Sequence, residues 1–290
     1  MVCQALKLKN ENCKLKPRRP VPATLDPDRI SRASFVKHVE WHDRISSTND
    51  RGMTLAADPG LATPVLIAAG EQYAGRGRGK NRWWSDTGAL TFTLVFDPHG
   101  DQEKLGSPAL PADCWPRIAL TAGVALCDVL HKLVPDVPMG LKWPNDVLLE
   151  GKKVAGILVE VPPAAPPTPR RLVLGMGINV NNSLAAAPAE LQSSSTSLAE
   201  AGGALFDLTD LLIAWLNCFA DHLHALATAD PALPERWRSL CDLSGKTIEL
   251  QSGNRTVRGL CRGIDADGAL VLDTPAGPER LYAGALVRVV

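Results

Sequence analysis

Gly75-Arg76-Gly77-Arg78-Gly79-Lys80-Asn81-Arg82-Trp83-Trp84 sets four cations among three glycines and stops at two tryptophans, and Ala89-Leu90-Thr91-Phe92-Thr93-Leu94-Val95-Phe96 follows with the composition of a β-strand. Glycine lets backbone N–H groups approach an oxyanion with no Cβ in the way. Arg76 and Arg78 supply planar, permanently charged forks that match phosphate geometry. A cationic loop hanging off the edge of a sheet is held by a rigid scaffold, which is how binding loops are built. Two plainer readings stand beside this one, an Arg-Gly segment of the disordered RNA-binding kind and a solvated charged turn. One short copy between apolar strands is a poor example of the first.

Outward from the loop, strands and helices alternate. Upstream, Pro64-Val65-Leu66-Ile67-Ala68-Ala69 reads as a buried strand that Glu71-Gln72-Tyr73-Ala74 carries into the loop. Earlier still, Phe35-Val36-Lys37-His38-Val39-Glu40-Trp41 alternates as a half-buried strand and leads to Ser46-Ser47-Thr48-Asn49, whose small hydroxyls either cap a helix or hold a polar ligand. His38 and His42 have the spacing of a helical metal pair, but a strand holds such a pair too far apart to chelate, so no metal role is expected there. Downstream, Ile118, Ala122, Leu126, Val129 and Leu133 recur at helical spacing and mark a core helix. Residues 141–149 and 153–160 predict a hairpin around Glu150-Gly151-Lys152, with Pro144 fixing the backbone before an exposed Asn145-Asp146 pair. Residues 171–182 form a strand ending in glycines and amides, and Leu208, Leu211, Leu212, Trp215, Phe219 and Leu223 a second amphipathic helix. After Trp237 the texture turns short and β-like, with strands expected at 246–250, 257–260, 269–272 and 286–290 and turn signals such as Asp267-Gly268 between them. Gly245-Lys246-Thr247 has the form of a phosphate loop's tail, but the earlier glycine that loop requires falls at Leu240, so a P-loop is rejected.

Composition narrows the class. The 290 residues carry 31 Lys+Arg against 31 Asp+Glu, and a formal net charge of zero gives no global field to hold a long polyanion. A hydrophobic fraction of 45% supports one substantial core with room for a small second domain. The seven cysteines are scattered and never form a C-x-x-C pair, which suggests neither a zinc site nor a disulfide framework and fits the reduced thiols of a cytosol. No stretch approaches the roughly 20 apolar residues of a membrane span, so a soluble cytoplasmic protein is expected. Residues 1–33 are polar, rich in Lys, Arg and Pro and without periodicity, and read as a flexible basic leader too short for a helix-turn-helix domain.

Four segments, in order, resemble the biotin–protein ligases, or biotin–[acetyl-CoA-carboxylase] ligases: Ser47-Thr48-Asn49; Gln72 with Gly75-Arg76-Gly77-Arg78; Lys142-Trp143-Pro144-Asn145-Asp146 with Lys153-Val154-Ala155-Gly156-Ile157-Leu158-Val159-Glu160; and Gly175-Met176-Gly177-Ile178-Asn179. The resemblance runs from about residue 34 to the end. It implies an α+β fold, a mixed sheet flanked by helices over residues 34–240, related to class II aminoacyl-tRNA synthetases and lipoate ligases. A small SH3-like β-barrel is implied over residues 241–290.

In such a ligase ATP and biotin give biotinyl-5′-AMP and pyrophosphate, and a lysine amine of a biotin carrier domain then attacks the mixed anhydride. By match, Ser47, Thr48, Asn49, Gln72, Gly75, Arg76, Gly77, Arg78, Lys153 and Gly156 would bind biotin, and Arg76, Arg78, Trp83, Lys142, Asn145, Ile178 and Asn179 would bind ATP. Biotin's neutral ureido ring needs hydroxyl and amide partners in an otherwise apolar pocket. A carboxylate driven against a triphosphate needs cations, for which Arg76, Arg78 and Lys153 match. Asn145 and Asn179 would bind phosphate or a Mg²⁺ shell, though both also suit plain turns. Arg78, Lys153 and Asp146 form the implied catalytic set, with Asp146 accepting the proton of, or orienting, the attacking amine.

The chain departs from many relatives at Gly79-Lys80-Asn81-Arg82, where they carry a further arginine and glycine. With three glycines and unpaired cations, the loop is expected to be mobile without ligand and to order when biotin binds. A lipoate or octanoate ligase shares the fold and the acyl-adenylate logic, and an RNA-binding protein using the Arg-Gly loop is the rival from another class. The Lys-Trp-Pro-Asn-Asp segment and the SH3-like tail favour biotin. The expected partner is the biotin carboxyl carrier domain of acetyl-CoA carboxylase. DNA binding is not expected, since no winged-helix segment is read here, and a homodimer is left open.

Overall fold

The computed structural model describes residues 24–166 and 168–290. Its strands are β1 (His38–Ile45), β2 (Val65–Gln72), β3 (Leu90–Phe96), β4 (Met139–Lys142), β5 (Asp146–Leu149), β6 (Lys152–Glu160), β7 (Leu172–Ile178), β8 (Thr247–Ser252), β9 (Arg255–Ile264), β10 (Leu270–Thr274), β11 (Gly277–Leu281) and β12 (Ala285–Val289). Its helices are α1 (Pro27–Ala33), α2 (Thr48–Ala56), α3 (Gln102–Leu105), α4 (Ile118–Leu133), α5 (Ala189–Ser194), α6 (Leu198–Gly202), α7 (Leu208–Ala227) and α8 (Ala232–Leu240). No helix among the described residues is long and apolar enough to cross a membrane.

The first seven strands build one mixed sheet in the order β1-β2-β3-β7-β6-β5-β4, parallel only between β1 and β2. Parallel neighbours need a crossover, and α2 supplies it. Because side chains alternate along a strand, the two faces of the sheet are furnished differently. One sends Phe92, Leu94, Phe96, Leu174 and Met176 into the main core with the apolar stripes of α4 and α7, where Trp215 and Phe219 stack 4.9 Å apart. The other sends Val65, Ile67, Val95 and Val173 against Ala56, Met53 and Leu55 of α2.

The last five strands form an antiparallel unit in the order β11-β10-β9-β8-β12, the expected SH3-like element. It is not loosely tethered. Ile248, Leu250, Leu270 and Leu272 belong to the same continuous core as the large sheet. Asp242 N donates to Leu141 O at 2.9 Å beside β4, and the Trp143 indole N–H donates to Gly268 O at 3.0 Å.

Several expectations shift. The leader was to run through residue 33; residues 1–23 lie outside the described residues, but 27–33 form α1. Asp26 caps it, Ile30 is fully buried, and Arg29 pairs with Asp207 and Asp210 at the start of α7. A single buried apolar residue in a seven-residue charged helix gives too little periodicity to be seen. The segment 141–149 is two strands about a turn, and Asn145-Asp146 is half-buried rather than exposed. β11 was not anticipated, since Pro278, Glu279 and Arg280 dilute its pattern. The cationic loop joins β2 to β3, both interior strands, and so sits at the sheet's end rather than its edge.

Candidate active site

Three rows cross the α2 side of the sheet through paired strands: Val65-Val95-Val173-Glu160, Ile67-Thr93-Gly175-Leu158, and Ala69-Thr91-Gly177-Gly156. Along them the side chains shrink from valines to glycines, so the floor is apolar under α2 and bare beyond its N-terminus. The bareness is required. A Cβ on Gly175 would stand 1.7 Å from Asn49 Oδ1, and one on Gly177 would stand 2.2 Å from the Trp83 ring. Each glycine admits a neighbour's side chain flat against the sheet.

At one end of this floor a hydroxyl-amide network is assembled. Ser47 is the N-cap of α2, its Oγ accepting from Asp50 N, and it also lines the cleft, so capping and ligand-facing readings coexist in one residue. Thr48 donates from N to Gln72 Oε1 at 2.7 Å and from Oγ1 at 3.2 Å. The buried Thr93 hydroxyl stands 2.9 Å from Thr48 Oγ1 and 2.7 Å from Asn49 Oδ1. Asn49 Nδ2 donates to Glu160 Oε2 at 3.0 Å. Thr93 and Glu160 were missed by the sequence reading. Two threonines, Thr91 and Thr93, alternating within an otherwise apolar strand were the available signal for Thr93.

The cationic segment is a small hairpin. Trp83 N donates to Gly75 O at 3.0 Å, Gly77 N to Asn81 O at 2.9 Å and Asn81 N to Arg78 O at 3.2 Å, with the turn at Gly79 in the left-handed region. Two of the four cations expected to be unpaired, Arg76 and Arg78, have partners. Arg76 makes a two-pronged pair with Glu160, at 2.9 and 2.7 Å, and reaches Asp50 at 3.0 Å. Its hydrogen bonds to Glu160 raise its pKa above the ordinary value despite partial burial. Arg78 crosses to the C-terminal unit and donates to Gly284 O. Burial lowers its pKa, and the nearby Asp146 carboxylate pulls the other way.

The far end of the cleft is charged. Lys153 Nζ lies 2.7 Å from Asp146 Oδ1 and 5.8 Å from the centre of the Trp83 ring. The Lys153–Asp146 contact is ionic, without the angle of a hydrogen bond, and leaves Asp146 Oδ1 buried with no hydrogen-bond donor. Lys142, Asn145 and Arg82 also line this end, and Ala285 and Leu286 of β12 complete the wall. Asn145 Nδ2 is tied to Ile157 O at 2.8 Å.

Of the residues singled out in the sequence, Ser47, Thr48, Asn49, Gln72, Arg76, Gly77, Arg78, Trp83, Lys142, Asn145, Asp146, Lys153 and Gly156 line this one cleft. Gly75 stands just behind it, packed on Trp83 and Gln72. Ile178 and Asn179 are not brought to it. Ile178 is fully buried in the main core, and Asn179 Oδ1 accepts from Asn182 while its N–H donates to Val154 O beside Lys153. The alternation of β7 explains Ile178, which points away from the glycine face.

Residues 41–179 match the Biotin/lipoate A/B protein ligase family, and residues 243–285 match the Biotin protein ligase C terminal domain. The chain is 32% identical over 263 residues to a biotin–[acetyl-CoA-carboxylase] ligase of Mycobacterium tuberculosis, covering 90% of this chain and 92% of that one. It is 33% identical over 243 residues to the same-named enzyme of Paracoccus denitrificans, covering 83% and 96%. Among solved structures, a biotin protein ligase from Aquifex aeolicus in complex with biotin and ATP superposes with a TM-score of 0.70 at 25% identity, over 88% of this chain and all of that one. Fold, cleft and likeness together define a ligase. The chain belongs to the biotin protein ligases.

Proposed function

We propose that the protein is an ATP-dependent biotin–protein ligase that joins biotin and ATP into biotinyl-5′-AMP and passes the biotinyl group to a lysine of a carboxylase biotin carrier domain. One observation carries the reading: the cleft has two unlike ends on one glycine floor. Hydroxyl and amide groups of Ser47, Thr48, Asn49 and Gln72 furnish one end, suited to a neutral ureido ring, and Arg78, Lys142 and Lys153 furnish the other. The relatives' names and the biotin- and ATP-bound state of the Aquifex enzyme support the same substrates.

The chemistry follows from charge. In the first step a biotin carboxylate oxygen bonds to the α-phosphorus and pyrophosphate leaves, so an anion is pressed against an anion. Arg78 and Lys153 offset that repulsion and hold the developing charge, in a site partly screened from water. In the second step the carrier amine bonds to the acyl carbon and AMP leaves. That amine has an ordinary pKa near 10.4 and must shed a proton. The Asp146 carboxylate, which lines the charged end of the cleft and is ion-paired to Lys153, is the acceptor we assign. Trp83 covers the floor at Gly177 and would shield the adenylate. Mg²⁺ would enter with the triphosphate and screen its charge; the amide oxygen of Asn145 and the Asp146 carboxylate, both lining the cleft, are hard donors that would fit it. Ile178 and Asn179 take no direct ligand contact in this reading; the Asn179 backbone braces Val154 next to Lys153.

The catalytic unit in this proposal begins at α1 rather than at residue 34 and runs to about residue 240, with 241–290 as the C-terminal unit. The test is incubation with Mg²⁺-ATP, a purified biotin carrier domain, and biotin or lipoate in parallel. Labelling of a single carrier lysine with biotin is expected. Labelling only with lipoate would keep the fold and overturn the substrate.

A further inference from the structure

Glu160 occupies a position where the sheet's pattern calls for a hydrophobe. It ends the row Val65-Val95-Val173-Glu160, and its side chain is 21% exposed. A carboxylate in such a place must be satisfied by donors. It is satisfied by two groups that belong to different halves of the cleft. Oε2 accepts from Asn49 Nδ2 at 3.0 Å and from Arg76 Nη1 at 2.9 Å, and Oε1 accepts from Arg76 Nη2 at 2.7 Å. Asn49 lies in the first turn of α2, within the hydroxyl-amide network. Arg76 opens the hairpin that carries Gly77 and Arg78.

We propose that Glu160 is a positioning residue for the ligase reaction: its carboxylate locks the Asn49 amide and the Arg76 guanidinium together, so that the biotin-facing wall and the cationic hairpin are held in one geometry. The inference rests on the biotin ligase reading for its substrate. The hydrogen bonds inside the hairpin are local and hold only its own shape. What ties the hairpin to the large sheet through side-chain charge is Arg76, and a bidentate guanidinium–carboxylate pair fixes direction as well as distance. Arg76 therefore acts in the cleft through its backbone and through where it sets Arg78, not as a cation offered to phosphate. Its fork is already spent on Glu160 and Asp50.

The substitution that isolates this role is Glu160→Gln, which keeps the volume and an acceptor for Asn49 but removes the charge that holds Arg76. Loss of a charge-assisted pair predicts a roughly tenfold rise in KM for biotin together with a fall in kcat for pyrophosphate release, because the hairpin that lines the cleft and carries Arg78 is no longer held. Trypsin should cut the 76–82 segment of Glu160→Gln several times faster than that of wild type. The double variant Arg76→Gln/Glu160→Gln should lose no more than the worse single variant, as expected for two residues that act as a pair. Wild-type KM together with a wild-type tryptic pattern in Glu160→Gln, or additive losses in the double variant, would overturn the proposal. If wild-type protein shows no biotin-dependent pyrophosphate release, the substrate reading fails instead. The tryptic comparison and the coupling between the two residues in thermal stability then still decide whether Glu160 anchors the hairpin.

Discussion

At the scale of single residues, the cleft is made by what is left out as much as by what is present. Gly175 lets the Asn49 amide lie 1.7 Å from where a Cβ would stand, so Gly175→Ala should displace Asn49 and loosen its bonds to Thr93 and Glu160. Overpacking of this kind costs about 1–3 kcal/mol, and a tenfold or larger rise in KM for biotin is expected by steady-state kinetics, with far-UV circular dichroism unchanged. A normal KM would mean that Asn49 does not shape the pocket. Asp146→Asn should leave biotin-dependent pyrophosphate release near wild type and slow single-turnover transfer to the carrier about 100-fold, the scale of a lost general base. Normal rates in both steps would remove Asp146 from the mechanism. Most of these residues were legible because short motifs state them directly: Ser47-Thr48-Asn49, Gln72, Gly75-Arg76-Gly77-Arg78 and the Lys-Trp-Pro-Asn-Asp run. Glu160 stood inside a recognised motif, yet its task was invisible. Nothing local says that a carboxylate at the end of β6 meets an arginine 84 positions earlier.

At the scale of elements, the strands and the two long helices followed from period alone, since apolar runs bounded by turns need no partner to be read. What escaped depended on tertiary company. α1 is held by Asp26, by the ion pairs of Arg29 and by one buried isoleucine, none of which makes a periodic pattern. The hairpin at residues 75–83 looked unanchored because its acceptors, Glu160 and Gly284 O, lie far along the chain. Helix packing offers an independent test. Asp128 of α4 accepts from His222 of α7 at 2.9 Å and from Arg236 of α8 at 3.0 Å, tying three helices together. Burial alone would raise the Asp128 pKa, but the hydrogen bonds from His222 and Arg236 outweigh it, so the carboxyl titrates below its usual range. A depressed folded-state pKa contributes stability that is present above the unfolded value near 4 and is lost as pH falls through the folded value. Asp128→Asn should therefore be less stable than wild type at pH 7, by about 2 kcal/mol in denaturant unfolding, and the gap should begin to narrow near pH 4 and close only once the pH has fallen below the depressed folded-state value. A gap that persists in acid would assign the loss to packing rather than charge.

At the scale of the whole molecule, the C-terminal unit is part of the cleft. It supplies Ala285 and Leu286 to the wall and the Gly284 carbonyl to Arg78, and it is seated by the Trp143 indole on Gly268 O. Trp143 belongs to the same turn as Asn145 and Asp146, so the seat and the charged end of the cleft share one short segment. Trp143→Phe keeps the apolar ring but strands the buried Gly268 carbonyl, at a cost of roughly 1–3 kcal/mol. A lower Tm with a raised KM for ATP is expected; a lower Tm with unchanged ATP kinetics would make the seat purely structural. Sequence reading could place an SH3-like tail after Trp237, but not its closing of the cleft, which depends on how two units meet in space. The most direct test of the proposed function is pyrophosphate release by the purified protein with Mg²⁺-ATP and no carrier, with biotin or lipoate as the acid. Release that requires biotin, with none from lipoate, is the predicted result. A folded protein that releases pyrophosphate with lipoate but not biotin, or with neither acid, would contradict it.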